Sequence, residues 1–386
     1  MVETAPSTDL EWSLLKTCCS PSSVSLPSSE FGKRVPPGVD WNRLFELAET
    51  HGVQPLLYQA LSYHSEFVPH ESWEFLQQTY ARNLHKALFL ARELIRIVEA
   101  LECRSINVLP YKGLALAEIL YGDIALRQSG DIDLLILPDA LPYIREIVGS
   151  LGYIAHTPCS SEHEREFIRS GYELSFDGPA GPNLLEVQWA IQPRFYGVEF
   201  GIEEVFHRAM EISVAGRKIK TPCLEDLFII LSLHAAKHVW ARLIWICDLA
   251  RMMTLTEVNW KNVGGQATAL GIARLLRVGI DLATRFTGVS IPAELDSNLP
   301  ADPLAAHLAQ QIENEIMAGS LVDVESLQYF RRMIQLRERA SDRCQILSRL
   351  VLTPGPGEWN AVRLPRSLFP LYRVVRLGRL ASKLAR

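Results

Sequence analysis

Two aspartates separated by one residue stand in an otherwise apolar stretch, DIDLLIL at 131–137. In an extended strand the side chains of residues i and i+2 point to the same face, so Asp131 and Asp133 are expected to lie side by side. Two neighbouring carboxylates on a buried strand cost on the order of several kcal/mol unless a cation neutralises them. Mg²⁺ binds such oxygen ligands and commonly completes its shell with substrate phosphates. The pair therefore predicts a metal-dependent site for phosphate chemistry.

Lys112 and Gly113 stand where a predicted strand turns into a predicted helix. Glycine permits close backbone approach, and the N-terminus of a helix favours phosphate oxygens. Lys112 could then neutralise a triphosphate or a leaving pyrophosphate. On these two residues alone, a surface lysine beside a turn glycine is the better interpretation. Their position within the motif described below favours the functional one.

The elements that would position these residues are strands and helices at short spacing between residues 101 and 195. Helices are predicted over LALAEILYG and over 140–151. Strands are predicted at Asn107–Tyr111, Asp131–Leu137, Tyr172–Phe176 and Leu184–Trp189, the last two joined by the turn signal DGPAGPN. Such a mixture is typical of an α/β or α+β unit.

Helical periodicity flanks this unit on both sides, and residues 20–38 are rich in Ser and Pro, which predicts a loop or a poorly ordered linker. The predicted organisation is a flexible N-terminal segment at 1–38, a helical N-terminal region at 39–103, a catalytic domain at 104–200, a helical C-terminal domain at 201–352 and a basic C-terminal tail at 353–386.

The composition is ordinary for a globular protein, since 48% of the 386 residues are hydrophobic and 22% are charged. The net charge of −5 argues against a surface built as a whole to bind nucleic acid. The longest apolar stretches, such as Leu227–Leu233, are too short to span a bilayer, and no secretory signal is visible. Seven cysteines without CxxC spacing fit neither a zinc site nor a disulfide framework, so a cytoplasmic location is expected.

Three segments resemble motifs of the nucleotidyltransferase superfamily, which has the polymerase-β-like fold: KGLALAEILYG at 112–122, RQSGDIDLLI at 127–136 and LLEVQWAI at 184–191. Together with WNRLFELAETHGVQPLLYQAL and HAAKHVWARLIWICDLARMM, they resemble more narrowly its uncharacterised bacterial branch with a Lys-Gly loop. The resemblance implies an α+β fold, in which a nucleotidyltransferase core with a mixed sheet is flanked by mostly helical regions. The superfamily's usual loop carries Gly-Ser where this chain has Lys112-Gly113.

The resemblance also implies an enzyme that transfers a nucleoside monophosphate from an NTP to an acceptor and releases pyrophosphate. Such transfer uses two metal ions, expected to be Mg²⁺, on the attacking and leaving oxygens of an in-line displacement. Asp131, Asp133 and Glu186 are then the catalytic carboxylates and the metal ligands, and Glu186 could also serve as the general base. The alternatives are that the aspartates cap a turn after Gly130 and that Glu186 is an exposed strand residue.

Further basic residues are candidates for binding the nucleotide. Arg127 could contact a phosphate, or could equally pair with Asp123 or with the two aspartates of the motif. Lys237 could face the catalytic cleft from the second helical region. His234 and His238 have an H-x3-H spacing without the Glu of a metalloprotease motif, so ring packing inside a helix or a contact to nucleotide is expected instead.

The chain ends in a basic segment, since residues 363–386 contain seven Lys or Arg and no acid, interleaved with apolar residues. A terminal helix that packs its apolar face on the body of the protein is the favoured interpretation. Contact with RNA, an anionic membrane surface or an acidic partner is the alternative.

Two other functions stay open at this point. One is a non-catalytic binding or accessory module on the same fold, against which the three intact acids speak. The other is a toxin-like enzyme that modifies tRNA or a protein. A small-molecule acceptor is favoured, because the net charge of −5 gives a nucleic-acid acceptor little support. The sequence identifies neither the base of the NTP, the acceptor nor the oligomeric state.

Overall fold

The computed structural model describes residues 9–156, 171–320, 326–352 and 371–384, together with residues 168, 322, 323, 361, 362, 364 and 368. The helices are α1 (Leu10–Cys19), α2 (Ser28–Phe31), α3 (Trp41–Thr50), α4 (Gln54–Ser62), α5 (His70–Glu102), α6 (Gly113–Tyr121), α7 (Leu141–Ser150), α8 (Ile202–His207), α9 (Leu224–Lys237), α10 (Leu243–Met252), α11 (Trp260–Leu270), α12 (Ala273–Thr287), α13 (Ala293–Asn298), α14 (Pro303–Met317), α15 (Leu327–Gln335), α16 (Ala340–Leu352) and α17 (Tyr372–Leu384). The strands are β1 (Val108–Pro110), β2 (Ile132–Ile136), β3 (Ile154–Ala155), β4 (Glu173–Gly178), β5 (Gly181–Gln188), β6 (Met210–Val214) and β7 (Arg217–Thr221).

A five-stranded sheet forms the α+β core, with the strand order β1-β2-β5-β4-β3. β2 and β5 run parallel, whereas the other neighbouring pairs of this sheet are antiparallel. Helices precede the sheet along the chain and follow it. The predicted α+β fold with a mixed sheet and helical flanks is therefore confirmed.

One face of the sheet is apolar because side chains along β2 and β5 point alternately to its two faces. Ile132 and Leu134 of β2 and Leu185 and Val187 of β5 are buried in one hydrophobic cluster with the C-terminal half of α5 and with α7. Their alternate neighbours must project from the opposite face. The alternation therefore separates a packed face from a face that can carry polar side chains.

A second hydrophobic cluster joins the two helical regions. It contains buried residues of α1, α3 and α4 together with buried residues of α9 to α15. The long helix α5 takes part in both clusters, through Leu76 near its start and through Leu90 and Ile97 further on. The N-terminal and C-terminal helices thus share one core, which also contains Leu109 of β1 and Leu135 of β2 and so packs directly on the sheet.

The prediction of a flexible segment at 1–38 is wrong for the part that the structure describes, which begins at residue 9. Asp9 caps α1 by accepting a hydrogen bond from the backbone of Trp12. Trp12, Leu14 and Leu15 are almost fully buried, and the indole of Trp12 donates to the carbonyl of Met317 at 3.2 Å. The prediction relied on the Ser and Pro content of 20–38 and gave less weight to the apolar residues that precede this stretch. Burial of those apolar residues orders the segment.

Two further elements differ from the predicted ones. Residues 201–352 are not wholly helical, because β6 and β7 pair as an antiparallel hairpin. The helical pattern after Thr221 is interrupted between α9 and α10, where Val239 and Trp240 both adopt left-handed backbone angles, with φ of 53° and 51°. This turn redirects the chain so that both ends of the break reach the polar face of the sheet.

The basic tail contains the helix α17, which packs against α16. Tyr372 at its start donates a hydrogen bond from its hydroxyl to the carbonyl of Val362 at 2.9 Å. Val374 and Leu377 of the same helix remain largely exposed. Residues 353–360, which also belong to the predicted tail, lie outside the described residues. Among the helices that the structure describes, none combines the length and the apolar character needed to cross a bilayer.

Candidate active site

Strand register places the third predicted carboxylate beside the second. Asp133 of β2 lies directly opposite Glu186 of β5 in the parallel pair. Asp131 was predicted to begin this strand but comes immediately before the observed β2, and it lines the same cavity as the other two. The structure therefore brings Asp131, Asp133 and Glu186 together on the polar face of the sheet.

The Lys-Gly loop closes onto these carboxylates. The ammonium of Lys112 donates to Oδ1 of Asp133 at 2.9 Å, and the two side chains are only 10% and 5% exposed. Gly113 begins α6 with a φ of 52°, and a Cβ atom there would lie 3.4 Å from the carbonyl oxygen of Asp131. Glycine is favoured at this position because the left-handed backbone and the close approach both disfavour a side chain. The loop thus holds Lys112 against the aspartates.

A cavity of about 450 Å³ opens over this arrangement, within the range of small-molecule sites. Its walls come from the Lys-Gly loop, the segment before β2, strands β4 and β5, and the turn between α9 and α10. The lining residues are Lys112, Gly113, Arg127, Gln128, Ser129, Gly130, Asp131, Asp133, Tyr172, Glu173, Glu186, Gln188, His234, Lys237, His238, Arg242, Ile244 and Trp245. Every residue predicted to bind metal or nucleotide lines this one cavity.

The carboxylates of the cavity carry more negative charge than the protein neutralises. Burial, with Asp133 next in importance, raises the pKa of Asp131 to about 6. Burial, followed by Asp133 and Glu173, raises the pKa of Glu186 to about 7. Lys112 opposes both shifts without cancelling them. An added cation would lower both pKa values, so the cavity is electrostatically suited to bind one.

Polar side chains of β4 and β5 surround Glu186. The amide nitrogen Nε2 of Gln188 donates to Oε2 of Glu186 at 3.3 Å and to Oε2 of Glu173 at 3.4 Å. The hydroxyl of Tyr111 donates to the other end of this amide, at Oε1 of Gln188. The hydroxyl of Tyr172 donates to Oε1 of Glu173. These contacts orient Glu186 while leaving its Oε1 atom free of the Gln188 amide.

Lys237, which was predicted to face the catalytic cleft, lines the cavity from the end of α9. Its ammonium donates to the hydroxyl of Tyr172 at 3.1 Å and lies 4.9 Å from the centre of that ring. Burial lowers the pKa of Lys237, with Lys112 acting in the same direction and Glu173 opposing. The charge of Lys237 is therefore not neutralised by a direct carboxylate contact, unlike that of Lys112.

Arg127 pairs neither with Asp123 nor with the aspartates of the motif, so these predicted partners are wrong. Its guanidinium forks onto Asp248 of α10, with Nε 3.1 Å from Oδ1 and Nη2 2.9 Å from Oδ2. Both side chains are buried, and the hydroxyl of Tyr121 donates to Oδ1 of Asp248 at 3.0 Å. Arg127 therefore ties the segment before β2 to the C-terminal helices, and its contact with a phosphate stays a prediction.

The two histidines pack against an aromatic ring, as one of the predicted alternatives had it. The rings of His234 and His238 lie 5.1 and 5.2 Å from that of Trp245, which is half-buried at the wall of the cavity. Burial, with Lys112 next, lowers the pKa of His234, and burial followed by Lys237 lowers the pKa of His238 to about 4. Both rings are thus neutral at physiological pH and form an aromatic wall with Trp245.

The donor set of the cavity fits a hard divalent cation, since it consists of carboxylate oxygens with unneutralised charge. In the part of the chain that the structure describes, however, no three His, Cys, Asp or Glu side chains stand close enough together to hold a metal ion by themselves. Lys112 already occupies Oδ1 of Asp133. Phosphate oxygens of a bound nucleotide would therefore be needed to complete the ligands of such an ion.

Several residues of the cavity were missed by the sequence analysis. Glu173 and Gln188 lie opposite each other in the β4–β5 pair, and Ser175 lies opposite Glu186. The alternation of the predicted strands could have placed Gln188 on the face of Glu186, because the two are separated by one residue. Trp245 and Arg242 carried no such signal, since their place depends on the turn at 238–242.

Comparison with known proteins agrees with this geometry. A family model described as an uncharacterised nucleotidyltransferase matches residues 37–288 of the chain. The matched range contains the sheet, the Lys-Gly loop and every residue that lines the cavity. The chain has no significant match among curated proteins or among solved structures.

Proposed function

The chain belongs to this uncharacterised nucleotidyltransferase family, and on that premise we propose that it transfers a nucleoside monophosphate from an NTP to an acceptor, with Mg²⁺ as cofactor and pyrophosphate as the second product. The observation that carries the proposal is the register of β2 and β5, which places Asp133 opposite Glu186 beside the Lys-Gly loop. A cluster of buried acids lowers the stability of the fold unless a cation neutralises it, so such a cluster indicates a ligand-binding site.

Asp131, Asp133 and Glu186 are the residues that would hold Mg²⁺. When bound, the ion would neutralise the triphosphate and polarise the phosphoryl group that is attacked. Burial and the neighbouring carboxylates raise the pKa values of Asp131 and Glu186 more than Lys112 lowers them, so an added cation would stabilise both in the charged form. Asp133 keeps Oδ2 available because Lys112 contacts Oδ1. The donor atoms therefore suit the cofactor that the reaction class requires.

The triphosphate has two candidate binding groups in the cavity. The N-terminus of α6 begins at Gly113, where unpaired backbone N–H groups favour phosphate oxygens. Lys237 is half-buried and contacts the hydroxyl of Tyr172 rather than a carboxylate among the described residues, so an anionic phosphate would stabilise its charged form. The half-buried ring of Trp245 offers a face on which a nucleobase can stack.

Glu186 is the candidate for the general base. Its raised pKa of about 7 lets it accept a proton near neutral pH. Gln188 donates to Oε2, so Oε1 is the atom that would take the proton from an acceptor hydroxyl. The acceptor oxygen would then bond to the α-phosphorus as the bond to the β-phosphate oxygen breaks, and pyrophosphate would leave.

Titration calorimetry with ATP, GTP, CTP and UTP tests nucleotide binding. We expect at least one NTP to bind in the presence of Mg²⁺ and to bind about tenfold or more weakly to Asp131→Asn and Asp133→Asn, because charge-assisted ligands are lost. Asp139→Asn, at an exposed position just after the same strand, serves as the matched control and should bind as the unmodified protein does. Metal-dependent binding that survives both active-site substitutions would overturn the assignment.

A further inference from the structure

We propose that Lys112 takes the place of one of the two metal ions, so that the nucleotide-loaded site holds a single divalent cation. This inference rests on the proposed function and specifies how its site is neutralised. It replaces the expectation of two ions with one ion and one resident ammonium group.

The contact between Lys112 and Asp133 is built into the fold. The two side chains are 10% and 5% exposed and lie 2.9 Å apart. Lys112 is the residue that precedes α6, and the left-handed backbone of the next residue, Gly113, packs the loop against the carbonyl of Asp131. A buried pair of this kind is not a mobile surface contact, because separating its partners leaves an uncompensated charge.

The ammonium competes directly with a second metal ion. Two-metal sites hold their ions about 3.5–4 Å apart, which requires carboxylates that offer oxygens to both ions. Oδ1 of Asp133 already accepts a hydrogen bond from Lys112. A divalent ion at the same oxygen would have to displace a cation of like charge. Oδ2 of Asp133 is therefore the oxygen that has no cation beside it, and it can bind a metal ion together with Asp131 and Glu186.

The charges of the site's own side chains balance one divalent ion. Asp131, Asp133 and Glu186 bring three negative charges and Lys112 brings one positive charge, so two negative charges remain for a cation before the triphosphate adds its own. The other charged groups that face the cavity change this balance little. Glu173 and Lys237 offset each other, Arg127 is held by Asp248, and Arg242 is exposed at the rim.

The competing arrangement is that Lys112 leaves Asp133 for a phosphate when the nucleotide binds. In that case both oxygens of Asp133 become available and two ions can bind. The two arrangements differ in the number of ions and in whether those ions are magnetically coupled, and both can be measured without catalysis.

Mn²⁺ binding in the presence of the α,β-methylene analogues of ATP, GTP, CTP and UTP tests the inference. Equilibrium dialysis counts the Mn²⁺ retained per bound nucleotide, and electron paramagnetic resonance reports whether two ions are close enough to couple. We expect one uncoupled Mn²⁺ in the unmodified protein and two coupled ions in Lys112→Met, which removes the ammonium at similar volume. Lys237→Met, the matched loss of the other buried lysine of the cavity, should keep one ion.

A coupled pair in the unmodified protein, or a single ion in folded Lys112→Met, would overturn the inference while leaving nucleotidyl transfer intact. Lys112→Arg keeps the charge and should keep one ion. If circular dichroism shows that Lys112→Met is unfolded, the ion counts of Lys112→Arg and of the unmodified protein decide the question. Absence of both Mn²⁺ and nucleotide from the unmodified protein would instead contradict the proposed function itself.

Discussion

Two buried ion pairs lie near the start of β2. Each joins one basic side chain to one aspartate, but their surroundings differ. Arg127 meets Asp248 through two guanidinium nitrogens, and Tyr121 donates to the same carboxylate. Lys112 meets Asp133 through one oxygen, beside two further acids. The first pair is closed, because both carboxylate oxygens of Asp248 and two of the guanidinium nitrogens of Arg127 have partners within the protein. The second is open, because negative charge remains around it.

The difference separates a structural role from a functional one. A closed pair joins the segment before β2 to α10, and its removal should affect folding first. An open pair leaves charge that destabilises the protein and can be satisfied only by something added. The motif residues Arg127 and Asp133 are six positions apart in the chain, yet they belong to these two classes.

Removing the closed pair should have the largest effect on stability. We expect Asp248→Ala to lower the free energy of unfolding by about 3–5 kcal/mol, because Arg127 is left buried and unpaired. Urea unfolding measures this loss. Glu102→Ala, which removes an exposed pair with Arg217, is the control and should lose at most about 1 kcal/mol. A loss for Asp248→Ala no greater than that of the control would show that the pair is not structural.

Removing Asp131, an acid beside the open pair, should change activity strongly and stability little. For Asp131→Asn we expect unchanged or slightly higher stability, since a destabilising charge is gone. Nucleotidyl transfer should fall about 10²–10³-fold, the usual cost of a lost electrostatic contact to the reacting groups. Thermal unfolding and turnover of labelled NTP measure the two effects. A variant that loses stability and keeps turnover would place Asp131 in the structural class.

The pH dependence of stability should also distinguish the open site. The pKa of Glu186 is about 7 in the folded protein against an ordinary value of 4.5, so between these values the folded state binds more protons than the unfolded state. The contribution of Glu186 to stability is therefore present at low pH and is lost as pH rises through about 7.

Glu186→Gln should remove this dependence. We expect the difference in unfolding free energy between about pH 5 and pH 8 to shrink by about 1–2 kcal/mol after allowing for partial solvent screening. Denaturant unfolding at the two pH values measures it, with the exposed Glu146→Gln as control. An unchanged difference in Glu186→Gln would mean that the acid carries no uncompensated charge.

Lys237→Met should have the smallest effect. If Lys237 binds phosphate equally in the ground and transition states, KM for the NTP should rise about tenfold with kcat nearly unchanged. Steady-state kinetics measure the split, and Lys261→Met at an exposed position of α11 is the control. A fall in kcat at constant KM would show that Lys237 acts on the transition state instead.

Short-range patterns predicted an α/β or α+β unit and the carboxylate pair, and the family resemblance implied the mixed sheet with helical flanks. Long-range pairing decided the rest. The alternation of aspartates with Ile132 and Leu134 was sufficient to predict which side chains share a face. The partner of Arg127 lies 121 residues away, and no local pattern could choose Asp248 over nearer acids. The ammonium of Lys112 on Asp133 likewise depends on a loop geometry that the sequence motif does not specify.

The segment before residue 38 and the turn at 238–242 likewise depend on long-range contacts that local sequence patterns do not predict. Composition predicted a flexible N-terminus, but Trp12 finds its partners on α14 and α12, almost three hundred residues later. Local periodicity predicted helix across Val239 and Trp240, although Trp240 is fully buried in the core in a left-handed conformation. In both places tertiary burial overrides the local preference.

The central claim is that Asp131, Asp133 and Glu186 support transfer of a nucleoside monophosphate. The most direct measurement incubates the protein with NTPs labelled at the α- or at the γ-phosphate, in the presence of Mg²⁺ and a cell extract that supplies acceptors. We predict that the α-label enters RNA, protein or a small molecule, that the γ-label appears in pyrophosphate, and that Asp131→Asn and Glu186→Gln lower both about 10²–10³-fold. Transfer of the γ-label to an acceptor, or undiminished α-label transfer by the two variants, would contradict the account.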